Sequence, residues 1–330
     1  MPLKLDSAIV KALGLDAATT TVASHGGSGF STTAKITTTL NGEEKHFFMK
    51  TGQGQDSTTM FKGEHASLNA IHSSVPTLCP ASFATGLLTS GSGSYLVTDF
   101  LDMSALPSRN RSSQSTSLAA KLAKLHTTPA PPPPGETSPA FGFPTITCCG
   151  STEQENPFTA SWVDFYANSR LRTILAACER NNGGDSELHG MVEKIATSVV
   201  PRLLGDGHLG GAEGVKPVVV HGDLWSGNKG SGKIGGKGDV EEVVFDPSAC
   251  YAHSEYELGI MNMFGGFNGA FWKGYHELVP KTEPVAEYED RVALYELYHH
   301  LNHHALFGGG YRGGAMSIMK KLCKKYGAGK

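Results

Sequence analysis

Apolar and polar residues alternate over much of positions 20–50, with the period of two that is typical of strands. Ala34 and Ile36 alternate with polar neighbours, as expected for a strand with one buried face. Asn41-Gly42 is a dipeptide favoured in tight hairpin turns, and the segment HFFMK at 46–50 follows it. The pattern therefore predicts a β-hairpin in this region.

The spacing then changes from that of a strand to that of a helix. Phe61, Leu68 and Ile71 share one face of a helix. The polar segment 51–59 before them is predicted to be a loop, and the apolar run at 94–101 is predicted to be another strand. The first hundred residues thus indicate a small α+β unit.

Helical spacing dominates the rest of the chain. It recurs at 118–126, 158–180, 186–204 and 286–307. The proline-rich segment 130–139 interrupts it and predicts an extended loop or insertion. A small β-rich unit followed by a larger helical one is the order found in protein-kinase-like folds. We therefore predict a two-lobed α+β fold, with an N-lobe at 1–101 and a mainly helical C-lobe at 102–330.

Composition and charge narrow the range of partners. The 330 residues are 39% hydrophobic and 18% charged, with a formal net charge of −3, which is ordinary for a globular protein. Nucleic acids and anionic membranes require a basic excess, so neither is expected as a partner. The six cysteines form no C-x-x-C pair, the chain starts without a signal-peptide pattern, and no apolar run reaches 18 residues. These features predict a cytoplasmic protein.

The clearest chemical signal is the segment PVVVHGDLWSGN, in which Asn228 follows Asp223 by five positions. A second apolar segment ends at Asp246. Phosphoryl transfer needs a carboxylate that orients the attacking hydroxyl and oxygen ligands that hold Mg²⁺ against the phosphates. The spacing matches the kinase catalytic loop H-R-D-x-x-x-x-N. We predict that Asp223 is the catalytic base and that Asn228 and Asp246 bind Mg²⁺ beside ATP.

Two upstream features agree with this interpretation. Lys50 ends a predicted strand, and Glu64 lies on the apolar face of the predicted helix, where a charge requires a partner. A Lys50–Glu64 ion pair explains both. The segment HGGSGFS contains Gly27, Ser28 and Gly29, whose backbone N–H groups are candidates for binding phosphates. A plain hairpin turn is the other interpretation of that segment.

Other motifs are missing or point elsewhere. The chain has no G-x-x-x-x-G-K-[ST], H-E-x-x-H or G-x-S-x-G motif. The histidines of YHHLNHHALF have the helical spacing of a metal site, but no acid or cysteine accompanies them. We therefore expect a packed helix with solvent-exposed histidines.

Further residues distinguish among kinases. Gly222 replaces the arginine of the protein-kinase catalytic loop, and no A-P-E motif follows Asp246. Both features favour a small-molecule kinase. The chain closely resembles the fructosamine-3-kinase (ketosamine or ribulosamine kinase) family. The matching blocks are FGFPTITCCG, WVDFY, HGDLWSGN, FDPSACYAHSEYEL, MFGGF and YHHLN.

The resemblance implies ATP-dependent phosphorylation of the sugar 3-hydroxyl of ketoamines, which promotes deglycation. It also implies that Asp99, Phe100 and Leu101 form the hinge that contacts adenine, and that Glu257 braces the catalytic loop. Trp225 is a candidate for stacking on the sugar or, alternatively, for packing within the loop. Many family members carry a cysteine in the glycine-rich loop, and this chain has none there.

Two other interpretations remain open at this point. One is another small-molecule kinase of the aminoglycoside or choline kinase type, and the other is a catalytically silent kinase-like binding module. The residues leave open whether ribulosamines or fructosamines are preferred and whether the substrates are glycated proteins or small ketosamines. Either a monomer or a weak homodimer fits the sequence.

Overall fold

The amino-terminal part of the chain forms a β-sheet with two helices. The computed structural model describes residues 4–27, 31–89, 91–104 and 116–327. Its first elements are α1 (Ser7–Leu13), β1 (Thr21–Ser24), β2 (Thr32–Leu40), β3 (Glu43–Gln53), α2 (Gly54–Ser74), β4 (Ser82–Leu87), β5 (Gly93–Asp99) and β6 (Leu101–Asp102).

Strands β1 to β5 form an antiparallel sheet in the order β1-β2-β3-β5-β4. Strands β2 and β3 pair along their lengths, which confirms the predicted hairpin. Asn41 has a φ of 53°, the left-handed conformation that an Asn-Gly turn supports. Ala34, Ile36 and Val97 pack with Ile9 of α1 in a small core. Burial of alternate residues thus explains the period of two.

Helix α2 is longer than its apolar spacing predicts. The loop predicted for 51–59 is wrong, because β3 continues to Gln53 and the helix begins at Gly54. The first turn of α2 is mostly exposed and polar, so it shows no apolar periodicity. The predicted buried face is confirmed, since Phe61, Leu68 and Ile71 are all buried.

The remaining elements are mainly helices, as predicted. They are α3 (Leu118–Thr127), β7 (Thr147–Cys149), β8 (Thr152–Gln154), α4 (Trp162–Tyr166), α5 (Thr173–Asn182), α6 (Ser186–Lys194), α7 (Val200–Leu204), β9 (Val218–Val220), β10 (Lys229–Ile234), β11 (Glu241–Val244), β12 (Cys250–Ala252), α8 (Tyr256–Phe264), α9 (Gly269–Leu278), α10 (Tyr288–Phe307) and α11 (Tyr311–Tyr326). Among the described residues, no helix combines the length and apolar character needed to cross a membrane.

Helix α10 lies at the centre of the helical part, where it contacts α5, α8 and α11. Neighbours on several sides bury residues around most of its circumference. The expectation of solvent-exposed histidines is therefore wrong for His299 and His304, which are 1% and 8% exposed. No group of three or more potential metal ligands (His, Cys, Asp or Glu) occurs in the part of the chain that the structure describes.

A second, three-stranded sheet connects the two parts of the molecule. Strand β6 follows the last residue of β5 almost directly and pairs with β10, which also pairs with β11. The β10–β11 hairpin is the one predicted through the glycine-rich segment 230–238. Because this hairpin lies between Asn228 and Asp246, it brings its two ends together, and the backbone nitrogen of Phe245 donates to the carbonyl oxygen of Asn228 at 3.1 Å.

Buried neutral histidines predict that the protein loses stability in mild acid. Burial lowers the pKa of His253 to about 4 and lowers that of His299 well below its ordinary value. Below pH 6.5 the unfolded chain therefore takes up protons that the folded protein does not. The free energy of unfolding should fall with pH by up to about 1.4 kcal/mol per pH unit for each such histidine.

Thermal melts at pH 7 and pH 5 measure this effect. His253→Gln should reduce the pH dependence of the Tm, whereas the substitution His189→Gln, at a largely exposed histidine, should leave it unchanged. Equal stability of the unmodified protein at both pH values would contradict the prediction.

Candidate active site

The catalytic loop begins where β9 ends, and a buried acid holds its backbone. Glu257 of α8 accepts hydrogen bonds from the backbone N–H groups of His221 and Gly222, the second at 3.0 Å. Burial by itself raises the pKa of Glu257, but the influence of His126, whose Nε2 lies 3.6 Å away, and the other contacts outweigh burial and hold the pKa below its ordinary value. An ionised acid therefore fixes the loop, in the structural role that the resemblance implies.

Gly222 is required by a close approach of two backbone segments. Its φ is +81°, and a Cβ atom at this position would lie 2.0 Å from the carbonyl oxygen of Ser248. No L-residue fits there without moving the backbone. Steric hindrance therefore explains why glycine, and not the arginine of protein kinases, occupies position 222.

His221 links the catalytic loop to the strand that carries Asp246. Its Nε2 lies 3.0 Å from the carbonyl oxygen of Phe245, and its Nδ1 lies 3.3 Å from the backbone nitrogen of Asp223. Burial lowers the pKa of His221, which favours the neutral ring. A neutral ring with the proton on Nε2 satisfies both contacts. The imidazole therefore sets the distance between the two acidic segments.

Asp223 has a partner for each of its carboxylate oxygens. The amide nitrogen of Asn228 donates to Oδ2 at 3.1 Å and to the backbone oxygen of Asp223 at 2.9 Å. The thiol of Cys149 lies 3.8 Å from Oδ1. Burial raises the pKa of Asp223 to about 8, and the negative charges of Asp246 and Glu257 act in the same direction. The raised pKa makes the ionised Asp223 carboxylate a stronger base than an ordinary aspartate.

Lys50 connects the two halves of the site. Its Nζ lies 2.7 Å from Oε1 of Glu64 and 2.7 Å from Oδ1 of Asp246. Burial alone lowers the pKa of Lys50, but attraction to the two carboxylates raises it above its ordinary value, so the ammonium stays charged. The structure thus has the predicted Lys50–Glu64 pair and adds Asp246, which pattern alone did not indicate.

Two adjoining clefts meet at this ion-pair cluster of Lys50, Glu64 and Asp246. The first, of about 280 Å³, extends toward β5 and includes Gly27, Asp99 and Leu101. The second, of about 230 Å³, includes Asp223, Trp225 and Asn228. We call them the β5 cleft and the Asp223 cleft. The predicted catalytic residue Asp223 therefore lies on one side of the cluster, and the predicted hinge residues Asp99 and Leu101 lie on the other.

Three predicted site residues need separate mention. Phe100 is buried and is not among the residues that line the β5 cleft. Its ring instead packs against His25, at 4.9 Å between ring centroids, and lies 4.3 Å from Nζ of Lys35. Ser28 and Gly29 lie outside the described residues.

Several lining residues were assigned no role in the site from the sequence. In the β5 cleft they are mainly apolar: Phe48, Leu68, Pro80, Met103 and Phe245. In the Asp223 cleft they include Met60, Cys148 and Gly150. Helical spacing could have indicated two of them, because Met60 and Leu68 are each four residues from Glu64 and therefore lie on the same face of α2.

The oxygen atoms of Asn228 and Asp246 fit a Mg²⁺ site. The Asp246 side chain is 54% exposed in the clefts, and its φ of 57° is uncommon outside glycine. The nitrogen of the Asn228 amide already donates to Asp223, which leaves the amide oxygen for a ligand. Mg²⁺ is commonly held by one or two protein ligands together with substrate phosphates and water. These two residues match that pattern.

Comparison with known proteins agrees with the geometry. The fructosamine kinase family matches residues 8–325. Ketosamine-3-kinase of Mus musculus is 35% identical over 294 residues, which cover 84% of this chain and 88% of the mouse protein. A structure from Thermobifida fusca assigned to the fructosamine-3-kinases has a TM-score of 0.72 at 21% identity, covering 97% of this chain and 98% of that one.

A GDP complex of an aminoglycoside 2′-phosphotransferase-IIIa is similar at the level of the fold. Its TM-score is 0.51 at 11% identity, with 97% of each chain covered. The protein-kinase-like α+β fold predicted from the sequence is therefore confirmed. Together with the match over residues 8–325 and the identity to the mouse enzyme, these findings place the chain in the fructosamine kinase family.

Proposed function

We propose that this protein transfers the γ-phosphoryl group of ATP to the sugar 3-hydroxyl of ketosamines, and thereby promotes deglycation. One observation carries the proposal: Asp223 and the Lys50–Asp246 ion pair lie in a single cleft. In a member of the fructosamine kinase family, this arrangement supplies the proton acceptor and the phosphate-binding charges that the reaction needs.

In this proposal ATP occupies the β5 cleft, between lobes formed by 1–101 and 102–330. Asp99 and Leu101 lie at the adenine end, and Gly27 lies beside the phosphates. Lys50, held by Glu64, binds the phosphate oxygens as a fixed positive charge. Asn228 and Asp246 would hold Mg²⁺, which would neutralise charge on the phosphates.

The ketosamine occupies the Asp223 cleft with its sugar near Trp225. Asp223 accepts the proton of the 3-hydroxyl as the sugar oxygen bonds to the γ-phosphorus and the bond to the leaving ADP breaks. Asn228 and Cys149 contact the carboxylate and hold it in the orientation that this proton transfer requires. The resulting 3-phosphate makes the ketosamine unstable, so the amine is released.

An assay with a panel of acceptors tests the proposal directly. Ribated and glycated amines, an aminoglycoside and choline are each incubated with ATP and Mg²⁺. We expect phosphate transfer to the ketosamines alone, with ³¹P and ¹H NMR placing the phosphate on the sugar 3-oxygen. Transfer only to the aminoglycoside or to choline, or no transfer at all, would contradict the proposal.

A further inference from the structure

A row of aromatic side chains extends outward from the Asp223 cleft. We call Trp225, Phe264, His303, Phe307 and Tyr311 the aromatic row. Ring centroids are 5.6 Å apart for Trp225 and Phe264, 5.0 Å for Phe264 and His303, and 5.7 Å for His303 and Phe307. Tyr311 lies 5.1 Å from His303. Each ring is within contact range of the next, so the row is continuous.

Several side chains of the aromatic row are exposed to solvent, although they are large and apolar. Trp225, Phe264 and Phe307 are 37%, 36% and 65% exposed. They come from three separate elements, namely the catalytic loop and the last residues of α8 and α10. Apolar residues scattered singly on a surface need no explanation, but a contiguous patch marks an interaction site. The row therefore has the character of a binding surface.

Two contacts connect the aromatic row to the Asp223 cleft. Trp225 lines the cleft and is itself the first ring of the row. Gly150 also lines the cleft, and a Cβ atom on Gly150 would lie 2.9 Å from Cδ1 of Leu306, the neighbour of Phe307. The end of α10 thus borders the mouth of the cleft. A group attached to a sugar bound beside Asp223 has a direct path along the row.

The charged groups close to the row have hydrogen-bond or ion-pair partners. Glu296 of α10 lies 3.2 Å from Nε2 of His300 and accepts a hydrogen bond of 2.6 Å from Asn262. Arg312, the residue after Tyr311, binds Asp185 at 2.5 Å. A surface whose charged groups already have partners and whose rings are exposed favours uncharged apolar groups over phosphates or a charged lipid surface.

We infer that the aromatic row binds apolar side chains of a polypeptide that flank the modified lysine of a protein-bound ketosamine. This inference rests on the proposed function, since it assigns the part of the substrate that lies outside the sugar cleft. Each exposed ring loses contact with water when an apolar side chain packs on it, so flanking leucine or phenylalanine residues strengthen binding. The enzyme then prefers lysines in apolar sequence contexts.

Three acceptors with the same sugar test this inference: a ribulosamine on a small N-acetyl-lysine amide, on a peptide with leucine and phenylalanine flanks, and on a peptide with serine and glycine flanks. We expect kcat/KM to be about 10-fold higher for the apolar peptide than for the other two, mainly through a lower KM. Equal values for all three would overturn the inference.

Phe307→Ser provides the matched variant, because Phe307 is the most exposed ring of the row and lies outside the catalytic cleft. This substitution should reduce kcat/KM for the apolar peptide by about 5- to 10-fold. It should leave turnover of the small acceptor unchanged. Phe83→Ser, at a ring of β4 that is 48% exposed, is the control and should change neither. An equal loss for all acceptors would indicate a structural effect and refute the assignment.

The same experiment separates this inference from the proposed function. Phosphorylation of the small ribulosamine without any peptide preference would remove the role of the aromatic row and leave the proposed function intact. If none of the three acceptors is phosphorylated, both the proposed function and the inference about the aromatic row are contradicted.

Discussion

Asp223→Asn is expected to lower kcat by about 10²–10⁴ while leaving ATP binding largely unchanged, as loss of a general base does. The new side chain has nearly the same shape, and its oxygen still accepts the hydrogen bond from Asn228 that Asp223 now accepts at 3.1 Å. What disappears is the capacity to take a proton from the acceptor hydroxyl. The geometry of the loop is set by Glu257 and Gly222 and should persist.

Single-turnover rates with a ketosamine and Mg-ATP measure the effect, and nucleotide titration of the same variant measures ATP affinity. Asp206→Asn is the control, because Asp206 is an exposed carboxylate in the loop after α7. It should retain the turnover of the unmodified protein. A value of kcat for Asp223→Asn within a few-fold of that protein would exclude Asp223 as the base.

For Asp246→Asn the largest change should appear in the dependence on Mg²⁺. The substitution removes a negative charge that the metal requires and that Lys50 now contacts at 2.7 Å. We expect the Mg²⁺ concentration needed for half-maximal rate to rise by about 10²-fold, because a neutral amide binds a hard cation more weakly than a carboxylate does. The proposed proton acceptor Asp223 remains in place, so some activity should return at high Mg²⁺.

Initial rates at saturating ketosamine and a series of free Mg²⁺ concentrations give this value. Asp239→Asn offers a matched control, since Asp239 is exposed and lies in the same β10–β11 hairpin. Its Mg²⁺ dependence should equal that of the unmodified protein. If Asp246→Asn also shows an unchanged dependence, Asp246 is not a metal ligand.

The sequence predicted the strands and helices well where one face of an element is buried. The β2–β3 hairpin has both an alternating pattern and an Asn41-Gly42 turn, and these are local signals. The first turn of α2 lies in solvent and carries no periodic pattern, which is why its start at Gly54 was missed. Helix α10 has neighbours on several sides, so the burial of His299 and His304 could not be inferred from helical spacing.

The contacts of the candidate site were likewise predictable only where they depend on local features of the sequence. The five-residue spacing of Asp223 and Asn228 is a local feature, and the structure brings the two side chains into contact. Lys50 and Glu64 are fourteen residues apart, on a strand and a helix that are joined directly. Their contact could therefore also be predicted from the sequence. The thiol of Cys149 beside Asp223 comes from a different strand, and its position depends on how β7 packs.

By itself the sequence predicted the chemical groups of the candidate site, namely a proposed base, two candidate oxygen ligands for a metal and a paired lysine, on elements of known type. It did so because residue type and periodicity report local conformation and which face is buried. Only the tertiary structure decided that Lys50 joins Glu64 to Asp246, that Ser248 leaves no room for a side chain at Gly222, and that an aromatic row continues from the cleft. These features depend on contacts between segments far apart in the chain, and local patterns carry no information about such packing.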